Sequence, residues 1–126
     1  MSNIPTTFRA FRIHDDAQGY RSGIEDISID DMAEGDVTIR VEWSSINFKD
    51  ALAATGKGKI LKRYPMAGGI DVAGTVVESS SDRFQPGDEV LANCSGLSEE
   101  RDGGYAEYLR LQSDWVVPLP SGLTTR

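Results

Sequence analysis

The sequence predicts a small, mainly β domain, a barrel or a sandwich. Three observations carry this. Short stretches of alternating apolar and polar residues recur along the chain, turn signals separate them at modest spacing, and only one stretch has helical character. Thirteen glycines suit the tight corners of such a fold.

The elements follow in order. "TTFRAFRI" opens a strand in which Phe8, Ala10, Phe11 and Ile13 alternate imperfectly. "RSGIEDISIDDMAEGD" is polar, turn-rich and acidic, with only a short alternation in "GIEDISI". "DVTIRVEWSSIN" sets Val37, Ile39, Val41 and Trp43 at period two, the cleanest strand signal present. "FKDALAATG" is the one helical stretch, with Asp50 near its start and Gly56 just past its end, and holds two turns at most. "IDVAGTVVES" is another strand. "DRFQPGDEVLAN" places a Pro-Gly turn before Glu89, Val90 and Leu91. "GGYAEYLRLQ" alternates Tyr105, Glu107, Leu109 and Leu111 against Ala106, Tyr108 and Arg110. "DWVVPLPSGL" is a short last strand stopped by two prolines.

A length of 126 residues suits one domain. The net charge of −7 argues against nucleic acid or an anionic membrane as partner. The charge is uneven: residues 51–70 hold Lys57, Lys59, Lys62 and Arg63 and no acid, so one basic loop sits on an acidic body. The lone cysteine, Cys94, fits a reducing cytoplasm, and is read as a small buried apolar residue. The opening "MSNIPTTFRAFRIHDD" has no signal-peptide core and no stretch is long and apolar enough to span a bilayer, so a cytoplasmic location is expected.

Five blocks, "VEWSSINFKDALAATGKGKI", "PMAGGIDVAGTVVES", "FQPGDEVL", "GGYAEYLRL" and "DWVVPLPSGL", resemble in order and spacing the amino-terminal half of the medium-chain dehydrogenase/reductase superfamily. The branch they resemble is that of the NADPH-dependent acrylyl-CoA reductases and quinone oxidoreductases. The resemblance implies a GroES-like, partly open β-barrel with one or two short helices over residues 1–126. It implies that this domain forms the substrate wall and that a doubly wound domain binds NADPH. No strand–GxGxxG–helix unit occurs in these residues, so a fragment of a longer product, inactive alone, is expected. The longer form is expected to be a homodimer acting on a small CoA thioester, a quinone or an enal.

Zinc members of the superfamily place a Cys and a His where this chain resembles them with Asn47 and Ile70, and their four-cysteine lobe has no counterpart. An amide oxygen is a poor zinc ligand, Ile70 has no lone pair, and His14 has no Cys near it, so no metal is expected. As the resemblance has it, hydride passes to the substrate β-carbon, and the resulting charge is held by hydrogen bonds in place of a Lewis acid.

Each candidate residue has a plainer alternative. Asn47 offers donor and acceptor to a cofactor or substrate; it also suits a helix cap. Phe48 resembles a position where relatives carry a cofactor-contacting Tyr, keeping the flat face without the hydroxyl; otherwise it is a core aromatic. Asp50 either complements the helix dipole or holds Asn47 or a Lys in place. Lys57, Lys59, Lys62 and Arg63 suit phosphates of NADPH or coenzyme A, with Gly56 and Gly58 letting the backbone approach the ligand; otherwise the loop is merely solvated. Gly68, Gly69 and Gly74 read as structural, Asp71 as a bonding partner for backbone amides or a cation, and Tyr105 as an unsupported proton donor. Two other functions stand beside the reductase: a quinone or alkenal reductase of the same fold, and a non-enzymatic barrel module using a mobile, apolar-tipped loop.

Overall fold

A computed structural model describes residues 4–126; the first three residues of the segment read for a signal peptide lie outside the described residues. The architecture is mainly β. Strands β1 (Thr7–Asp16), β2 (Gly19–Ser28) and β4 (Met66–Ala67) form one sheet in the order β2-β1-β4. Strands β3 (Val37–Trp43), β5 (Asp71–Ser79), β6 (Glu89–Asn93), β7 (Tyr108–Leu111) and β8 (Val117–Pro118) form the other, in the order β7-β3-β5-β6-β8. The segment before β7 stitches the two together. Phe11 and Glu107 donate their backbone N–H to Tyr105 and Arg9 at 2.7 and 3.0 Å, and Val41 donates to Glu107 at 2.8 Å. This accounts for a shorter β7 than the alternation suggests: residues 103–107 bridge two sheets and ladder within neither.

Of the positions read at period two in β3, Val37 and Ile39 enter the main core, Val41 packs against it partly buried, and Trp43 is half-exposed where the strand reaches its end. Val37, Ile39, Val76, Val90, Leu109 and Leu111 are all buried between the faces of the five-stranded sheet and its covering loops. The hairpin β1–β2 is longer than expected, in register from Thr7↔Ser28 to Asp16↔Gly19. Only Ile27 of β2 is fully buried, so its strand character comes from backbone pairing, which composition does not report.

The helix α1 (Phe48–Thr55) starts and stops where its signals place it. Gly56 closes it in the left-handed conformation at φ 75°, its N–H bonded to the Leu52 carbonyl. Ala53 seats α1 over Ile13, Leu61 and Met66, and the Tyr20 hydroxyl donates to the Ala53 carbonyl. Among the described residues no helix is long and apolar enough to cross a membrane.

Gly74 is required by contact. A Cβ there would lie 2.2 Å from the Arg40 carbonyl oxygen, where β5 passes β3. Backbone on a paired strand cannot retreat cheaply, so Gly74→Ala is expected to cost about 2 kcal/mol of stability. Urea unfolding checks it; a loss under about 0.5 kcal/mol would show that the strands part without strain.

Candidate active site

The polypeptide leaves β3 at Trp43 and enters α1 at Phe48, and Ser44, Ser45, Ile46 and Asn47 form the rim between them. Asn47 is the N-cap residue, extended at φ −114° and ψ 164°. Asp50 lies in the first helical turn, 3% exposed. Its Oδ2 accepts the Asn47 backbone N–H at 2.9 Å and its Oδ1 accepts the Ile70 N–H at 3.0 Å. One buried carboxylate thus ties the helix start to the turn before β5. Both readings of Asp50 hold together: it caps the helix end and it fixes Asn47.

The Asn47 amide is gripped from several sides. Its Nδ2 donates to Asp71 Oδ2 at 2.9 Å, to Asp50 Oδ2 at 3.1 Å and to Ser45 Oγ at 3.1 Å. Ionised carboxylates only accept, so the NH2 end must face them. Ser45 donates its hydroxyl to Asp71 Oδ2, and Ser44 donates to the Asp71 carbonyl at 2.7 Å. Asp71 therefore binds side chains of the rim, where backbone amides or a cation were expected.

Tyr105 closes the far side. Its hydroxyl donates to the Ser45 carbonyl at 2.7 Å. Burial pushes the phenol up to about 12, and the nearby Asp50 and Asp71 carboxylates push the same way, so it stays protonated at neutral pH. Its ring leans edge-on against Phe11 and lies against Gly68 and Gly69, where a Cβ would approach it to 3.3 and 2.7 Å. Those glycines are structural, as read. The meeting of Ser45, Asp71 and Tyr105 was not legible; the serine pair between strand and helix was its only local signal.

Phe48 stands 80% exposed and Ile46 87% exposed, and Trp43, at the end of β3, is half-exposed. This excludes the core alternative for Phe48. A groove of about 370 Å³ borders Trp43, Ser45, Asp71 and Leu91, with Arg126 stacked over Trp43 at 5.3 Å. A second groove of about 510 Å³ runs from Ser44 and Tyr105 along Trp43, Phe11 and Ile24.

The basic loop divides. Lys62 pairs with Glu100 at 2.9 Å, raising the lysine and lowering the carboxyl from their ordinary values, and Arg63 donates to the Glu100 carbonyl at 2.8 Å. Lys57 and Lys59 are exposed and make no ion pair among the described residues. A Cβ at Gly56 would meet the Tyr20 ring and one at Gly58 would meet Leu52, so both glycines have a packing reason within the domain. Leu61 is buried and Ile60 packs against the same cluster, so the loop has no apolar tip to offer a partner.

One further expectation changes, for Cys94. Cys94 is exposed, because it sits in a tight loop at φ 55° that turns its side chain outward while Leu97 takes the interior place. His14 faces Glu25 across the hairpin at 2.8 Å, with Arg12 on the same carboxylate at 3.2 Å.

The fold and the sequence are similar to those of known proteins. The Salmonella enterica yhdH oxidoreductase, solved with NADP, superposes with a TM-score of 0.90 at 44% identity, over 94% of this chain and 36% of that one. The Escherichia coli protein named "Probable acrylyl-CoA reductase AcuI" is 54% identical over 95 residues, 75% of this chain and 29% of its own length. The Ruegeria pomeroyi acrylyl-CoA reductase AcuI is 41% identical over 106 residues, 84% of this chain and 32% of its own. The chain thus spans about a third of the length of these relatives. Residues 33–121, which include the whole rim from Ser44 to Asp50 and both Asp71 and Tyr105, match the alcohol dehydrogenase GroES-like domain, and the chain belongs to that family.

Proposed function

We propose that the rim is the substrate-side wall of a zinc-independent, NADPH-dependent enoyl-type reductase acting on a short activated alkene, foremost acrylyl-CoA. The observation that carries this is the pairing of an exposed flat ring, Phe48, with an amide fixed by a buried carboxylate, Asn47. An 80% exposed Phe forfeits its burial, for which the fold itself gives no reason, and Asp50, besides capping the helix, holds the Asn47 amide. Two features of the rim support a place for a nicotinamide ring: the exposed apolar side chains of Phe48 and Ile46, and the hydrogen-bonded cluster of Ser45, Asn47 and Asp71. NADPH, held mainly by a separate dinucleotide-binding domain, supplies the hydride when bound. Phe48 gives one wall for the ring, Asn47 with Asp50 behind it fixes the approach, and Tyr105 braces the rim from below. Lys57 and Lys59 lie about 12 Å further on, the length of the eight-residue helix, within reach of the phosphates of a coenzyme A ester.

A chimera joining this chain to the remaining part of the Salmonella relative tests the reading. It is expected to oxidise NADPH with acrylyl-CoA, and the chain alone is expected not to. Turnover by the chain alone, or by the chimera with none of acrylyl-CoA, a quinone and a small enal, would count against the proposal. In the chimera, Phe48→Ala is expected to weaken NADPH about tenfold and leave the stability within about 0.5 kcal/mol. An unchanged affinity removes Phe48 from the cofactor wall. Lys57→Gln with Lys59→Gln is expected to raise KM for the CoA ester about fivefold and leave KM for the enal unchanged. Equal effects on both would detach the loop from the phosphates.

A further inference from the structure

Strand β2 has one partner and one bare edge. Among the described residues it pairs with β1 alone, at the margin of the three-stranded sheet. The direction of its backbone groups follows from that partner. The carbonyls of Phe11 and Arg9 accept from Gly68 and Glu107, and their N–H groups donate to the Tyr105 carbonyl and the Glu107 carboxylate. Neither residue exchanges bonds with the one opposite it, so Ile24 and Asp26 point their own N–H and C=O away from the sheet. Alternation adds Tyr20 and Ser22 to the same edge. Their hydroxyls donate to the Ala53 and Ala54 carbonyls, which places α1 over a face of the strand and leaves the edge open.

Bare edges are commonly protected by Lys, Pro or a bulge. Strand β2 reads GYRSGIEDIS, with neither residue, and its register with β1 runs without a shift. Ile24 stands 64% exposed in the middle of the edge. Arg21 and Glu25 flank it, held in place by Asp16 and by Arg12 and His14. Only outward-facing residues can exchange ladder bonds, so a second β2 running antiparallel shifts in steps of two. One register puts a two-fold axis at Gly23. Arg21 then stands opposite the partner's Glu25 on both sides of the axis, and the two Ile24 side chains meet diagonally on one face. A shift of two residues either way dissolves both charge pairs. A shift of four toward Ser28 opposes Glu25 to its own copy.

We propose that the β2 edge joins two copies of this chain, antiparallel over residues 20–26 with Gly23 on the two-fold axis, through about eight backbone hydrogen bonds. The three-stranded sheets of the two copies become one continuous sheet. The partner's Ile24 extends the wall of the groove lined by Phe11, Ile24 and Trp43. The contact is small, so the dimer is weak and depends on concentration.

Sedimentation equilibrium of the 126-residue chain reads the association, and cross-linking reads the register. The mean mass is expected to rise from monomer toward dimer between about 10 µM and about 1 mM. Ile24→Lys, at an exposed position, is expected to keep the fold and weaken association at least about tenfold. A Cβ at Gly23 meets nothing within 4 Å, so a side chain is tolerated there. In the proposed register the two Gly23 Cα atoms lie about 4.5 Å apart, within disulfide reach, and the two Asp26 Cα atoms about 20 Å apart. In a glutathione buffer and a Cys94→Ser background, Gly23→Cys is expected to give a covalent dimer at least about tenfold faster than Asp26→Cys. A chain that stays monomeric at about 1 mM overturns the proposal. A dimer that Ile24→Lys leaves intact overturns it too, by placing the contact on another face. Equal cross-linking at positions 23 and 26 also overturns it, since an axis at Gly23 forbids the second. None of these outcomes bears on the reductase reading, which does not depend on β2.

Discussion

Asp50→Ala is expected to destabilise the fold by about 3 kcal/mol, the largest stability loss expected of any rim residue. The carboxylate is buried and accepts from the Asn47 backbone, the Asn47 amide and the Ile70 backbone. Truncation leaves two backbone N–H groups without their acceptor, each costing about 1–3 kcal/mol when kept from water, less what water entry at the rim restores. It also removes the acidic group of the first helical turn, about 0.5 kcal/mol more. Asp50→Asn keeps the shape but turns one of its two acceptors into a donor facing an N–H, and about half the loss is expected. Chemical denaturation monitored by circular dichroism gives both values. A loss under about 1 kcal/mol for Asp50→Ala would mean that solvent reaches this position, and the picture of a rigid rim would fail with it.

The local features of the fold were legible because short-range rules govern them. Asn47, Asp50 and Gly56 bound α1 by capping and by a left-handed stop, all within one helix length. Val37 and Ile39 announce β3 because their face is buried. The strand β2 was only half legible, since its partner holds it by backbone bonds and its side chains are mostly exposed. Cys94 was misjudged because residue type gives an average burial, whereas a positive φ in a tight loop dictates where the side chain points. The site divides the same way. Phe48, Asn47 and Asp50 lie on one short stretch and could be named from it. Their grip by Asp71, and the brace from Tyr105 to Ser45 across a separation of 60 residues, arise only when β5 and the stitching segment close on the rim. The basic loop looked like one cluster because sequence shows its cations but not Glu100, which ties Lys62 and Arg63 from the far side of β6.

Asn47 separates capping from function most sharply. In the chimera, Asn47→Ala is expected to lower kcat/KM about 100-fold and stability by about 1 kcal/mol. The stability loss has a local cause: Ala cannot cap, and it leaves Asp50 and Asp71 without the amide that bridges them. The loss in rate has another, because without that bridge the rim beside Phe48 is no longer held at one angle. Asn47→Ser distinguishes the two. Serine is as good an N-cap as asparagine, so most of the stability should return. Its single short donor cannot reach Asp50 and Asp71 together, so the rate should stay within about threefold of the alanine variant. Asn47→Asp should be worse than alanine in both respects, since it sets a third carboxylate beside two others. If serine restored rate and stability alike, Asn47 would be a helix cap and nothing more, and the catalytic role would pass to whatever else faces the ring of Phe48.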